Sequence, residues 1–302
     1  MKKTTKFFVF GGLICLLTGT VIMLIMGCIG GIDMMHDIMT KYSFHRYGFE
    51  YDFWDNDVVI EPGGDFIGNE LGMSDERIDV SANEIHSVRL EAEGMELNMV
   101  SGETNDIVLS SSSSFGMSMQ YYVENGTLYI RSKDKFLSFD GDVLIYIPKD
   151  LDLECLEIKA GAGEAEVDGI CAKELRLDIG ACSATLKNIC ADNVIINVGA
   201  GEVNLEETEV AETITARVGM GEMDFSGTVG GDADLDCGMG NIEFYNRGGA
   251  YDDYNYNVKC GAGNVEIGGF GYSGLSAWKK IDNGSTKTME IDCGMGNVEI
   301  SF

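Results

Sequence analysis

Nine cysteines are the residues with the most chemistry to offer. Cys237, Cys260 and Cys293 each stand immediately before a Gly-x-Gly element, and Cys171 and Cys190 lie 19 residues apart. Cys15 and Cys28 fall in or beside an apolar run. No pair has Cys-x-x-Cys spacing, and the three histidines, His36, His45 and His86, are scattered. A zinc site needs clustered ligands of these types, so no metal and no cofactor is expected. Buried thiols are the expected state, because cysteine packs as a small hydrophobe. Stacked neighbours such as Cys171 and Cys190 would also lie within bridging distance.

The carboxylates come next. Fifty acidic residues against 21 basic ones give a net charge of −29. That field argues against nucleic acid and anionic lipid as partners. It suits solubility, cations or a basic partner. Gly-rich acidic repeats are also found in the calcium β-roll, Gly-Gly-x-Gly-x-Asp, but the register fails. With Gly240 as the third motif glycine, the Asp position is Ile242, and other repeats place Ala165, Val203 and Val298 there. A looser column, Glu164, Ser183, Glu202, Glu222, Asn241, Asn264 and Asn297, would stack Glu202 against Glu222, and a cation would relieve their repulsion. A solvated acidic ladder is the plainer reading. The remaining outward charges mix signs without a convergent cluster, so no enzyme is expected. The Gly-x-Gly elements lie between strand patterns rather than before a helix, so they are no dinucleotide fingerprint.

The most suggestive surface residues are aromatic. One insertion carries Tyr245, Tyr251 and Tyr254, and a second carries Phe270, Tyr272 and Trp278, followed by Lys279 and Lys280. Aromatics with a basic pair, in loops on a rigid scaffold, suit glycan or protein contact. The competing reading is that these segments shield the end of a sheet against strand addition.

These residues need elements to hold them. Gly-x-Gly or a near relative recurs at Gly161, Gly180, Gly199, Gly219, Gly238, Gly261 and Gly294, with spacings of 19, 19, 20, 19, 23 and 33. Aligned on that glycine, apolar columns stand five, three and one residues before it. They are Leu156 to Met289, Ile158 to Ile291, and Ala160 to Cys293. Two more columns follow it, Ala165 to Val298 and Val167 to Ile300, and polar residues fill the gaps. Period-two alternation marks strands with one buried face. Each rung therefore has two short strands joined at a glycine corner, where positive φ and close backbone approach are tolerated. Rungs must stack to bury their apolar faces. Seven rungs at about 4.8 Å each would span roughly 34 Å. The longer last spacings place insertions at Tyr245–Asn255 and Gly268–Thr288, one rung apart. Upstream, Val88, Leu90 and Ala92 alternate, as do Leu97 and Met99. A hairpin spans Tyr121–Arg131 about Asn125-Gly126, and Pro148 stops a further run.

The amino end sets the compartment. Phe7–Ile32 is 26 residues without a charge, preceded by Lys2, Lys3 and Lys6. That is long enough to span a bilayer, and the positive-inside rule leaves the amino end in the cytoplasm and the rest outside. Ile25-Met26-Gly27-Cys28 offers an alternative, a lipobox-like lipoprotein anchor at Cys28, and plain secretion is a third. The expected organisation is 1–6 cytoplasmic, 7–32 transmembrane helix, 33–80 acidic stalk and 81–302 β-solenoid. Tyr47, Phe49, Tyr51 and Phe53 are interfacial aromatics or an early strand.

The stretch from Asn125-Gly126-Thr127-Leu128-Tyr129-Ile130, through Val143-Leu144-Ile145-Tyr146-Ile147-Pro148 and into the Gly-x-Gly rungs, resembles a bacterial family of β-strand-repeat domains labelled "putative adhesin" or domain of unknown function. The resemblance implies a β-solenoid on the cell envelope, and for some members a link to envelope-stress systems. No catalytic residue carries over from it. The chain thus reads as all-β, a parallel β-solenoid of about 19-residue Gly-x-Gly rungs preceded by one transmembrane helix. The expected function is that of a non-enzymatic, membrane-anchored, extracellular adhesin-like binding or scaffold module. Its partners would be envelope or host glycans or a membrane protein. The alternatives are an envelope-stress accessory protein that meets membrane signalling partners, and a polysaccharide-active β-helix enzyme.

Overall fold

The computed structural model describes residues 69–71, 77–92, 94–113, 119–132, 141–273 and 277–302. The expected membrane helix 7–32 and the aromatic run 47–53 lie outside them. Among the described residues no helix is long and apolar enough to cross a membrane.

The alternation dictates the architecture. Every residue of the five apolar columns is buried, from Leu156 and Ile158 in the first Gly-x-Gly rung to Val298 and Ile300 in the last. Each rung gives one strand to each of two faces, and the core lies between them. β9 (Leu153–Asp168) and β10 (Cys171–Lys187) run through the glycine corner and contribute to both faces. They pair in parallel at a constant offset of 19, Leu156 beside Leu175 and Val167 beside Leu186. β11 (Cys190–Val198) continues the first face, and β12 (Glu202–Val218) supplies the second face and then the first face of the next rung. The single 20-residue spacing is one extra residue between Val210 and Thr213, absorbed as a bulge. β13 (Glu222–Val229) completes that rung.

Serial stacking ends at the next rung. β14 (Ala233–Cys237) and β15 (Asn241–Asn246) do not neighbour the rung that follows them in sequence, β16 (Tyr254–Cys260) and β17 (Asn264–Ile267). Between the two lies the last rung of the chain, β20 (Lys287–Cys293) with β21 (Asn297–Ser301). Ala233 pairs with Met289, which pairs with Tyr256, and Asn241 pairs with Asn297, which pairs with Asn264. The chain skips one slot, builds the outer rung, and returns to fill the gap. The intervening segment forms β18 (Phe270–Ser273) and β19 (Ala277–Ile281), antiparallel to β17 and β16. The carboxyl-terminal strands are thereby hydrogen-bonded on both sides instead of fraying at an edge.

The amino-terminal end repeats the device. β3 (Ser87–Ala92) and β4 (Met95–Gly102) form a rung on β9, with its corner at Gly94. A rung made by β7 (Thr127–Ser132) and β8 (Gly141–Pro148) stacks on its other side. β5 (Asp106–Ser113) and β6 (Met119–Glu124) cap that rung in the antiparallel sense. β2 (Arg77–Ser81) pairs with β5 and β1 (Asn69–Leu71) with β6; β1 and all of β2 but Ser81 fall within the stretch assigned to the stalk. The β6–β7 turn has both Asn125 (φ 49°) and Gly126 (φ 76°) in the left-handed region, as a type I′ turn requires. Nine rungs are thus present among the described residues, two of them without a Gly-x-Gly signature.

Candidate functional site

The glycine corner is tighter than its sequence suggests. Positive φ explains only Gly94 (70°) and Gly163 (108°) among the corner glycines. Elsewhere the cause is close approach. A Cβ on Gly238 would lie 2.8 Å from the Gly219 carbonyl oxygen, and one on Gly294 would lie 2.7 Å from that of Gly238. The second glycine is tighter still, Gly240 pressing on the Gly221 carbonyl and Gly296 on that of Gly240. Where both outer residues are glycine, only the middle residue of the triplet carries a side chain and the corner is a bare backbone ridge; in Gly180-Ala181-Cys182 the third residue is instead a buried cysteine.

The eight aromatic and basic residues do not form one site. Tyr254 is fully buried; its hydroxyl donates to the Val229 carbonyl and accepts from Asn246 Nδ2, both at 3.1 Å. It is a pillar of the core rather than a contact residue, and burial pushes its phenol up to about 12. Tyr251 is half-buried, stacked on Tyr256 and tilted against Phe270, with its hydroxyl 3.2 Å from that of Tyr272. Burial and that hydroxyl pair raise the Tyr251 phenol to about 12. Tyr245 is exposed on the second face. Trp278 is on the first face, opposite outward Lys259, and is 68% exposed. Phe270 sits opposite buried Ile267 yet is 60% exposed, because β18 has no outer neighbour among the described residues. Lys279 lies opposite buried Val258 and still reaches solvent. An inward-pointing lysine on an edge strand blocks strand addition, as expected of a shield.

The cysteines divide by position. Cys171 and Cys190 form a disulfide, with Cα atoms 4.5 Å apart, on the narrow side where one rung passes to the next. For this pair the expected buried thiols are overturned. Cys171 is exposed, and the 19-residue register sets the two residues directly side by side. Cys237, Cys293 and Cys260 are buried thiols stacked in that order. The Cys293 thiol donates to the Gly296 carbonyl at 3.2 Å and the Cys237 thiol to the Asn297 carbonyl at 3.6 Å; the neighbouring Cys237 thiol, then burial, push the Cys293 thiol up. On the second face Glu222, Asp224 and Glu243 bring carboxylate oxygens within 4.8 Å of one another. Asn241 Nδ2 donates to Glu222 at 3.2 Å and to Glu243 at 3.4 Å. Burial first, then Glu243 and Glu222, raise the Asp224 carboxyl. Ile242, at the rejected calcium position, is fully buried.

The family model described as Toastrack DUF4097 matches residues 76–269. The chain belongs to that family. The Toastrack match takes in β2 to β17 and stops before β18, β19 and the rung that fills the gap. Among solved structures, the chain is similar to a putative cell adhesion protein of Clostridium sporogenes (16% identity, 78% of this chain and 99% of that one, TM-score 0.32). It is also similar to a putative adhesin of Bacteroides fragilis (11%, 75% and 97%, TM-score 0.42). A third is a putative adhesin of Parabacteroides distasonis (10%, 78% and 98%, TM-score 0.34). No curated protein matches the chain.

One feature of this Toastrack chain escapes the column alignment. The middle residue of the corner triplet is Ala162, Ala181, Ala200, Met220, Met239, Ala262 and Met295 in sequence order. The methionines are exposed, and the rung order makes them contiguous. The signal was the change from alanine to a large apolar residue at a position that faces solvent.

Proposed function

We propose that the chain is a non-enzymatic, adhesin-like binding module, held at the bacterial envelope by its amino-terminal apolar segment with the solenoid outside. The observation that carries this reading is Trp278. An edge strand needs only charge to repel strand addition, and Lys279 supplies it. A tryptophan 68% exposed on the outward side of the same strand is not buried by any of the described residues. Lys280 is exposed beside it, opposite Asn257. An indole with a neighbouring ammonium suits the face of a sugar ring carrying acidic groups, or an aromatic and acidic protein patch. The partner class is therefore envelope or host glycans, with a membrane protein as the alternative.

The test uses the full-length chain and immobilised cell-wall and host glycans. Trp278→Ala should lower retention at least tenfold without changing the melting temperature, and Tyr245→Ala should leave retention unchanged. Equal retention by wild type and Trp278→Ala would remove the site.

A further inference from the structure

Met220, Met239 and Met295 stand on one another along the corner ridge. The Met239 amide donates to the Gly219 carbonyl at 2.8 Å and the Met295 amide to the Gly238 carbonyl at 2.7 Å. Neighbouring strands therefore set their Cα atoms about 4.8 Å apart in a row. In sequence Ala262 interrupts the series. In space Met295 precedes it, because β20 and β21 occupy the slot beside β14 and β15. The three side chains are 64%, 54% and 64% exposed, and the glycines that flank each of them put no neighbouring side chain beside it in its own triplet.

A thioether is a soft, neutral donor that needs no proton removed before it binds a metal. Soft sulfur ligands select Cu(I) over the hard cations that prefer carboxylates. The stacked thiols of Cys237 and Cys293 lie beneath the same ridge but are buried and closed to solvent. The methionines are the accessible sulfurs here. We propose that Met220, Met239 and Met295 form a surface thioether site for a soft monovalent cation of the Cu(I) class.

The reach is adequate. For metal–sulfur distances of about 2.3 Å, an ion level with Met239 requires each outer sulfur to lean about 3 Å along the stack. Methionine is unbranched with three rotatable bonds, so it can do so. Three thioethers leave the charge of the ion uncompensated. The carboxylates of Glu222, Asp224 and Glu243 lie on the second face just past the ridge, in the rungs of Met220 and Met239. They supply a negative field close to the site, within a chain of net charge −29.

The test titrates Cu(I) anaerobically into the full-length chain against a chromophoric Cu(I) chelator. The triple variant Met220→Leu, Met239→Leu, Met295→Leu keeps size and apolarity at exposed positions, so folding should survive, which circular dichroism checks. It should take up one equivalent less than wild type. Each single Met→Leu should weaken that equivalent at least tenfold. Cys237→Ala with Cys293→Ala should leave it intact, and Ala262→Met, which lengthens the row, should keep or tighten it. Identical uptake by wild type and the triple variant overturns the proposal, and so does loss of that equivalent in the cysteine variant alone.

Discussion

At Gly240 a single methyl group would meet the backbone of the preceding rung, because the Gly221 carbonyl fills the space where a Cβ would go. Gly240→Ala should cost about 1–3 kcal/mol in a urea unfolding titration, the usual range for overpacking. Gly271→Ala should cost little, since nothing lies within 4 Å of its Cβ position. Asp236 reports on the rung order through its charge. Serial stacking would place Lys259 beside it, whereas the observed order places Asp292 there. Burial first, then Asp292 and Asp234, push its carboxyl up to about 6. The folded protein therefore holds this proton more tightly than the unfolded chain, so stability falls as pH rises from the ordinary carboxylate range to about 6. Asp236→Asn should raise the melting temperature above pH about 6, and the gain should fade as pH drops to about 4. Thermal melts across that range check it; a gain that persists at low pH would contradict the burial. At this scale the inward columns were legible, because period-two alternation is a direct record of which side is dry. Tyr254 was misread as a contact residue, although it shares its parity with Tyr256, two positions on in the inward column.

Between neighbouring elements the strongest tie is covalent. The Cys171–Cys190 bridge closes a 19-residue loop between successive rungs. In the chain-entropy account a loop of that size contributes about 3 kcal/mol. Reduction, or Cys171→Ser, should lower the unfolding free energy by that order, and an unchanged urea midpoint under reductant would show that the bridge does not form. The spacing identified the partners, but the oxidation state was not legible, since the same register serves two packed thiols equally well. The cap strands make a second prediction. Lys279 points to the core side of β19 at the end of the stack. Lys279→Val should leave the chain folded but promote end-to-end association, visible as a concentration-dependent rise in sedimentation coefficient. A strictly monomeric variant would mean that other features protect this edge. Sequence located this segment as an insertion with a shielding role available to it. It did not show antiparallel strands, because Phe270–Ser273 and Ala277–Ile281 are too short for a distinct alternation pattern.

In the whole solenoid, both ends use the same device. The chain leaves an empty slot or turns back past an existing rung, caps the outermost rung with antiparallel strands, and buries a rung between two neighbours. Column alignment cannot detect this. Each rung presents the same apolar face, so a stack in serial order and one with the last two rungs exchanged satisfy the same columns. Only the spacings of 23 and 33 residues hinted that something intervenes. The exchange has chemical consequences, since it stacks the three methionines without a gap, sets Cys293 between Cys237 and Cys260, and places Asp292 against Asp236. The most direct measurement is disulfide trapping with two cysteine pairs. Asp234 neighbours Glu290, and Asn257 lies one slot further on. Adjacent slots fall within the Cα separation a disulfide accepts, and two slots, about 9.6 Å, exceed it. Under mild oxidation, Asp234→Cys with Glu290→Cys should give a linked peptide by mass spectrometry, and Asp234→Cys with Asn257→Cys should not. The reverse result would restore serial stacking and dissolve the methionine row.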